Sequence, residues 1–230
     1  MRNLFDPAAY DIPETGVTFS CDNAALQAVF DDCGQLLKQN VQDFGGRKVL
    51  IEGAAYRNVW LETQPMGGEM YWKRNMTAAM NNQLLFMRTQ RADGRIAGSI
   101  QCHPDGTIEP QFNKFQGFCF PLHALNMWYL SGKEPAYLDM LADCLKKFDQ
   151  YLWRTRDSDG DGCLESFCVY DTGEDNALRY GHAPVYCTTD TPPEDADVVP
   201  MASMDVTSFS YACRDTLAEI SRLRGDGRES

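Results

Sequence analysis

The chain has 230 residues, 43% of them hydrophobic, which suits one globular domain with a real core. Its net charge of −12 argues against a nucleic-acid binder, which normally shows a basic face, and against docking on anionic membranes. Nine cysteines, an odd number with no CxxC pair, read as reduced, buried small hydrophobes of a cytoplasmic protein. No stretch approaches the roughly 20 apolar residues of a membrane span, and Met1-Arg-Asn-Leu-Phe-Asp-Pro7 lacks the apolar run of a signal peptide.

The first residues, through Gly16, read as an irregular lead-in. Asp22 is positioned to cap a helix that starts near Asn23, carries Leu26, Val29, Phe30, Leu36 and Leu37 at helical spacing, and fades near Gly45-Gly46. Arg47 to Glu52 is a short apolar run, a strand or a buried extended segment. Pro65, Gly67 and Gly68 form a turn that feeds a helix over 69–90, whose apolar stripe of Met76, Met80, Leu84 and Met87 is interrupted by Asn81, Asn82 and Gln83. Those polar residues call for buried polar partners or a wet cavity. Residues 97–116 read as loop, with a turn at His103-Pro-Asp-Gly. Helices follow over 118–130 and over 136–153, the latter with Leu138, Leu141, Leu145, Phe148 and Leu152 on one stripe. A last helix is expected over 204–223. The pattern is all-α: about five helices joined alternately by tight turns and long loops. The three dispersed histidines have no zinc-site spacing.

The organising stretch is the acidic loop after the fourth helix, Arg154-Thr-Arg-Asp-Ser-Asp-Gly-Asp-Gly-Cys-Leu-Glu165. Asp157, Asp159, Asp161 and Gly162 spell D-x-D-x-D-G, a turn in which alternate carboxylates converge, so calcium is a candidate ligand, with Glu165 and the Cys163 carbonyl as further donors. An EF-hand is excluded, because its twelfth loop position is Cys168. The alternative is a solvated acidic turn. Farther along, Asp171, Glu174 and Asp175 lie within five residues, with Arg179 four after Asp175. Clustered carboxylates raise the pKa of one member, as a general acid at neutral pH requires; a charged surface loop is the alternative.

These segments together resemble the (α/α)6-barrel glycosidases of glycoside hydrolase family 63 and its bacterial relatives, with trehalases more distant. Pro65-Met-Gly-Gly-Glu-Met-Tyr-Trp-Lys-Arg-Asn75 is similar to the P-G-G-x-x-x-Y-x-W-D segment of that family; Gln90-Arg-Ala-Asp-Gly-Arg-Ile-Ala-Gly98 resembles the turn after it. Pro121-Leu-His-Ala and Met204-Asp-Val-Thr-Ser-Phe are similar to two later segments, in the family's order. The resemblance implies an incomplete (α/α)6 toroid made by a single domain over 1–230, truncated before the general base. It implies an inverting α-glycosidase acting on α-glucosides or α-mannosides, with Asp175 as general acid. Tyr71, Trp72, Arg74, Asn75, Asp171, Glu174 and Arg179 would bind an oligosaccharide or small glycoside. Asn75 stands where many members have aspartate, and Glu174 replaces an aromatic residue. The partner would be a missing C-terminal half or a second copy of the chain. A non-catalytic carbohydrate-binding helical domain descended from such enzymes is the alternative.

Overall fold

The structure is a computed structural model that describes residues 18–53, 56–116, 120–174, 176–194 and 197–225. The lead-in expected through Gly16 lies outside the described residues. Among these, six α-helices alternate with three small antiparallel sheets. The sheets correct the all-α expectation. Strands β1 (Val41–Asp43) and β2 (Lys48–Leu50) form a hairpin whose turn runs through Gly45 and Gly46, both in the left-handed region. Strands β3 (Asn58–Trp60), β4 (Ser99–Cys102) and β5 (Ile108–Gln111) form a three-stranded sheet in that order. Strands β6 (Glu165–Ser166) and β7 (Met201–Ala202) pair within the later loops. Each strand is four residues or shorter, so none is long enough to print a period-2 pattern on the sequence.

Helix α1 (Ala24–Gln39) is capped by Asn23, not Asp22: the Asn23 side chain accepts from the amides of Ala25 and Leu26 at 3.0 and 3.2 Å. None of its residues is buried, and Leu26, Val29 and Leu36 face solvent.

The expected helix over 69–90 is two helices. Helix α2 (Gln64–Tyr71) takes Pro65 in its first turn, where a missing N–H costs nothing. Helix α3 (Met76–Arg88) restarts at Asn75, whose side chain accepts from Ala78 N at 2.9 Å. The two pack so closely that a Cβ on Gly68 would lie 2.9 Å from the Asn82 Cβ. The interrupting amides reach backbone partners, although the Gln83 Oε1 has none among the described residues. Asn82 accepts from Leu50 N and donates to the carbonyls of Leu50 and Gln64. Asn81 donates to Lys48 O and Gln83 to Pro65 O. A buried amide that finds such partners fixes register as well as satisfying itself.

Helix α4 (Phe120–Leu130), α5 (Pro135–Thr155) and α6 (Met204–Arg224) complete the core. The α5 stripe Leu138, Leu141, Leu145, Phe148 and Leu152 is buried as its spacing requires, and it meets Val206, Phe209, Cys213 and Ile220 of α6. Phe148 and Phe209 pack with ring centroids 5.2 Å apart. Ser203 caps α6, and Gly225 ends it in the left-handed region.

Candidate functional site: an aromatic cavity beside the acid loop

A cavity of about 280 Å³ opens beside the end of β3. It is lined by Glu52, Tyr56, Trp60, Glu62, Gln116, Tyr170 and Tyr186. Four segments distant in sequence build it. Residues 56–62 carry β3 along it, and Leu61 N donates to Gly98 O at 2.9 Å, tying this strand to β4. Residues 112–116 leave β5 and bring Gln116 in. Tyr170 lies on the 3₁₀ turn Val169–Asp171. Tyr186 is delivered by the strand-like passage in which Val169 N donates to Pro184 O at 2.9 Å and Tyr170 N to Val185 O at 3.3 Å. The Tyr170 and Tyr186 rings meet edge to face, 5.0 Å apart at 65°.

One buried cation braces this wall. The Lys114 Nζ sits 4.4 Å from the Trp60 ring centroid and 4.9 Å from that of Tyr186, in a residue only 2% exposed. Gly98 makes room for it: a Cβ there would lie 2.6 Å from the Lys114 carbonyl oxygen. The cavity therefore offers flat apolar ring faces, two carboxylates and tyrosine hydroxyls. Ring faces cover the C–H faces of a pyranose, and carboxylates and hydroxyls suit its equatorial groups.

Gln116 is the anomalous residue of the lining. It has φ of 51°, in the left-handed region that a non-glycine residue adopts at a cost. It is 2% exposed, and its Oε1 has no hydrogen-bond partner among the described residues. Its backbone N donates to the Asp171 carbonyl at 3.2 Å, which joins the cavity to the acidic loop.

Asp171 itself turns away from the cavity. Its Oδ2 accepts from Arg156 Nη1 at 2.6 Å and from Phe167 N at 2.7 Å, and neither side chain of the ion pair is exposed. The Arg156 guanidinium is sandwiched between the rings of Phe115 and Phe167, at 3.9 and 3.8 Å. So Asp171 and Arg156 fix the loop from behind. Glu174 and Arg179 are paired at the surface, and Arg179 also reaches Asp205 at 2.9 Å. Asp175 lies outside the described residues.

The other sequence-derived candidates stand apart from this cavity. Tyr71 is buried in a cluster with Leu50 and Ala78. Trp72 ends α2 and packs on the main core, Arg74 lies 5.9 Å over the Phe30 ring, and Asn75 is spent as a helix cap.

In the acidic turn, Asp157, Asp159 and Asp161 each offer an oxygen within 4.8 Å of the others, an arrangement that fits a hard cation. Gly160 and Gly162 take the left-handed conformation there. The turn is also held by its own amides: Asp157 accepts from Gly162 N at 3.1 Å and Asp161 from Cys163 N at 2.7 Å. Glu165 is buried and gives its two oxygens to Ser158 N and Oγ, at 3.0 and 2.8 Å. Cys163 is exposed, and its thiol pKa is pushed up, first by the Asp161 charge.

A second charged cluster ties the loops to the core. Asp190 meets Arg91 at 2.8 Å, the fully buried Arg95 at 2.6 Å, and the Tyr151 hydroxyl. Burial acts to raise the Asp190 pKa, but the hydrogen bonds from Tyr151 and Arg91 and the charge of Arg95 outweigh it and hold it low. Burial pushes the Tyr151 hydroxyl up to about 12.

No family model matches the chain, and no curated protein does. Among solved structures, it is similar to the crystal structure of a GH63 mannosylglycerate hydrolase from Thermus thermophilus in complex with glucose. The TM-score is 0.54 at 14% sequence identity, and the match covers 86% of this chain and 51% of that one. The chain thus spans about half the length of the structure it matches, and the likeness is one of fold.

Proposed function

We propose that the chain carries a sugar-binding site of glycosidase type, formed by the aromatic cavity at Trp60, Tyr170 and Tyr186. The cavity carries this reading: four aromatic side chains with two carboxylates, abutting the acidic loop. The fold likeness to a glycoside hydrolase that was solved with glucose supports it. The ligand class is an α-glucoside or α-mannoside. The six helices are read as an arc of an (α/α)6 ring.

Asp175 is proposed as the general acid that protonates the leaving oxygen. An inverting mechanism also needs a base roughly 6.5–9.5 Å away to activate water, so hydrolysis is assigned to the complete ring and sugar binding to this chain. Calcium at Asp157, Asp159 and Asp161, with the Cys163 carbonyl as a further donor, is proposed as a structural staple of the turn; Glu165, expected as another donor, is instead bonded to Ser158. The cation would supply positive charge that offsets the mutual repulsion of the three carboxylates.

The test is a calorimetric titration with methyl α-D-glucopyranoside and methyl α-D-mannopyranoside. Saturable binding that Trp60→Ala weakens at least about tenfold is expected; no binding of either glycoside rejects the site. Hydrolysis of the 4-nitrophenyl glycosides by this chain alone, abolished by Asp175→Asn, would overturn the assignment of an incomplete catalytic pair. For calcium, a Tm that rises with added calcium and stays flat in Asp159→Asn is expected. An equal rise in both would refute the staple.

A further inference from the structure

Resting on the sugar-site reading, we propose that Gln116 is the specificity-determining residue of the aromatic cavity, hydrogen-bonding one ring hydroxyl of the sugar that stacks on Trp60. Three independent observations converge on it. It lines the cavity. Its amide oxygen is buried without a partner among the described residues, as are those of Gln83 and Asn113, but of these three residues Gln116 is the one that lines the cavity. Buried amides are nearly always paired, so an orphan at a cavity wall marks a bond reserved for a ligand. Lastly, its backbone is held at φ 51°, a conformation that glycine would adopt without strain. Strain kept at a cavity wall, where glycine would relieve it, implies that the side chain is needed.

The geometry also explains how the residue is aimed. Its N–H is fixed to the Asp171 carbonyl, and Asp171 is itself locked by the buried Arg156. Two positions earlier, Lys114 braces Trp60 and Tyr186. The same short segment thus sets both the stacking face and the polar anchor. A terminal amide offers an acceptor at one atom and two donors at the other, so it can pair with a hydroxyl in either sense. A site built to bond a hydroxyl rejects the analogue that lacks it, because its own polar group is then left buried and unpaired.

The experiment uses the 230-residue chain and two variants, Gln116→Leu and Gln116→Gly. The probes are methyl α-D-glucopyranoside, methyl α-D-mannopyranoside and the 2-, 3-, 4- and 6-deoxy analogues of each. Wild type is expected to bind one parent glycoside and to lose about tenfold in affinity for one deoxy analogue. Gln116→Leu should bind the parent about tenfold more weakly and no longer distinguish it from that analogue. Gln116→Gly should lose the same discrimination while its Tm equals or exceeds that of wild type, since the strain is gone; this variant keeps the test open if the leucine variant fails to fold. Variants that bind the parent within twofold of wild type, or keep the discrimination, overturn the inference and leave the sugar site standing. A lower Tm for Gln116→Gly makes the residue a structural one and also overturns it. If wild type binds no glycoside, the site itself fails, and the inference with it.

Discussion

Replacing Asp171 with asparagine leaves the Arg156 charge without its carboxylate in a place where neither side chain meets solvent. Breaking one side of a buried pair costs about 3–5 kcal/mol, because the surviving charge stays desolvated. The low end applies here. The introduced amide oxygen still accepts from Phe167 N, and the guanidinium keeps its ring contacts at 3.9 and 3.8 Å. At about 3 kcal/mol, a chain of this size should lose roughly 6–12 °C in Tm. The assay is thermal unfolding followed by far-UV circular dichroism, with urea unfolding as a check. The double replacement Arg156→Met with Asp171→Leu removes both charges and should cost less than the two single replacements together. At about 10 °C, where Asp171→Asn remains folded, its affinity for methyl α-D-glucopyranoside should match wild type within about twofold. An Asp171→Asn variant that melts within about 2 °C of wild type would refute the structural role. Should it also lose sugar binding, the residue contacts the ligand, as its place in the motif implies.

Other substitutions probe the cap, the close approach and the loop clamp. Asn75→Ala should destabilise by about 1 kcal/mol through loss of the α3 cap, and Asn75→Asp should be nearly neutral, both read by urea unfolding. Gly98→Ala forces a Cβ to within 2.6 Å of the Lys114 carbonyl and Cγ; it should cost about 2 kcal/mol and displace the cation that backs Trp60, so sugar affinity falls as well. Asp190 is held below its ordinary pKa of 3.8, so its stabilising contribution is whole above that pH and is lost as pH falls through the lowered value. The stability difference between wild type and Asp190→Asn should therefore be constant from about pH 7 to about pH 5 and shrink below about pH 4; a difference that does not shrink at all as pH falls below about 4 would show that the carboxylate charge is not its source.

The helices were largely legible in the sequence because their signals are local. Helix α5 carries five apolar residues at 3.6-residue spacing, and all five are buried. The break between α2 and α3 was not legible. Trp72 to Asn75 contains no proline or glycine, and the break is set by tertiary contacts that pull Asn82 and Gln83 onto the backbone of β2 and α2. Of the apolar stripe in α1, Leu37 packs on Leu50, Tyr71 and Ala78, while Leu26, Val29 and Leu36 are exposed, since spacing reports a stripe and not its partner.

The site was legible only at its edge. The acidic loop drew attention through its charges, and Tyr170 lies inside it, but three of its carboxylates are engaged within the fold: Asp171 on Arg156, Glu165 on Ser158, Glu174 on Arg179. The sequence Arg154-Thr-Arg156 presents two arginines that look alike. Only packing separates the buried Arg156 from Arg154, which reaches the Asp93 carbonyl at the surface. The cavity walls come from residues 52, 56, 60, 62, 116, 170 and 186, and no local pattern joins them. The one available signal was aromatic residues at both ends of a polar loop, Tyr170 and Tyr186, with Trp60 between Val59 and Leu61. Gln116 left no sequence signal: its left-handed backbone and its bond to the Asp171 carbonyl are tertiary features.

The most direct test of the sugar-site account is a residue-resolved titration. Nitrogen-15 and aromatic carbon-13 spectra of the chain are recorded while methyl α-D-glucopyranoside and methyl α-D-mannopyranoside are added. The account predicts saturable shifts confined to Trp60, Tyr170, Tyr186, the Gln116 side-chain amide and their neighbours. Shifts centred on Tyr71, Trp72 and Arg74, or none at millimolar glycoside, would contradict it.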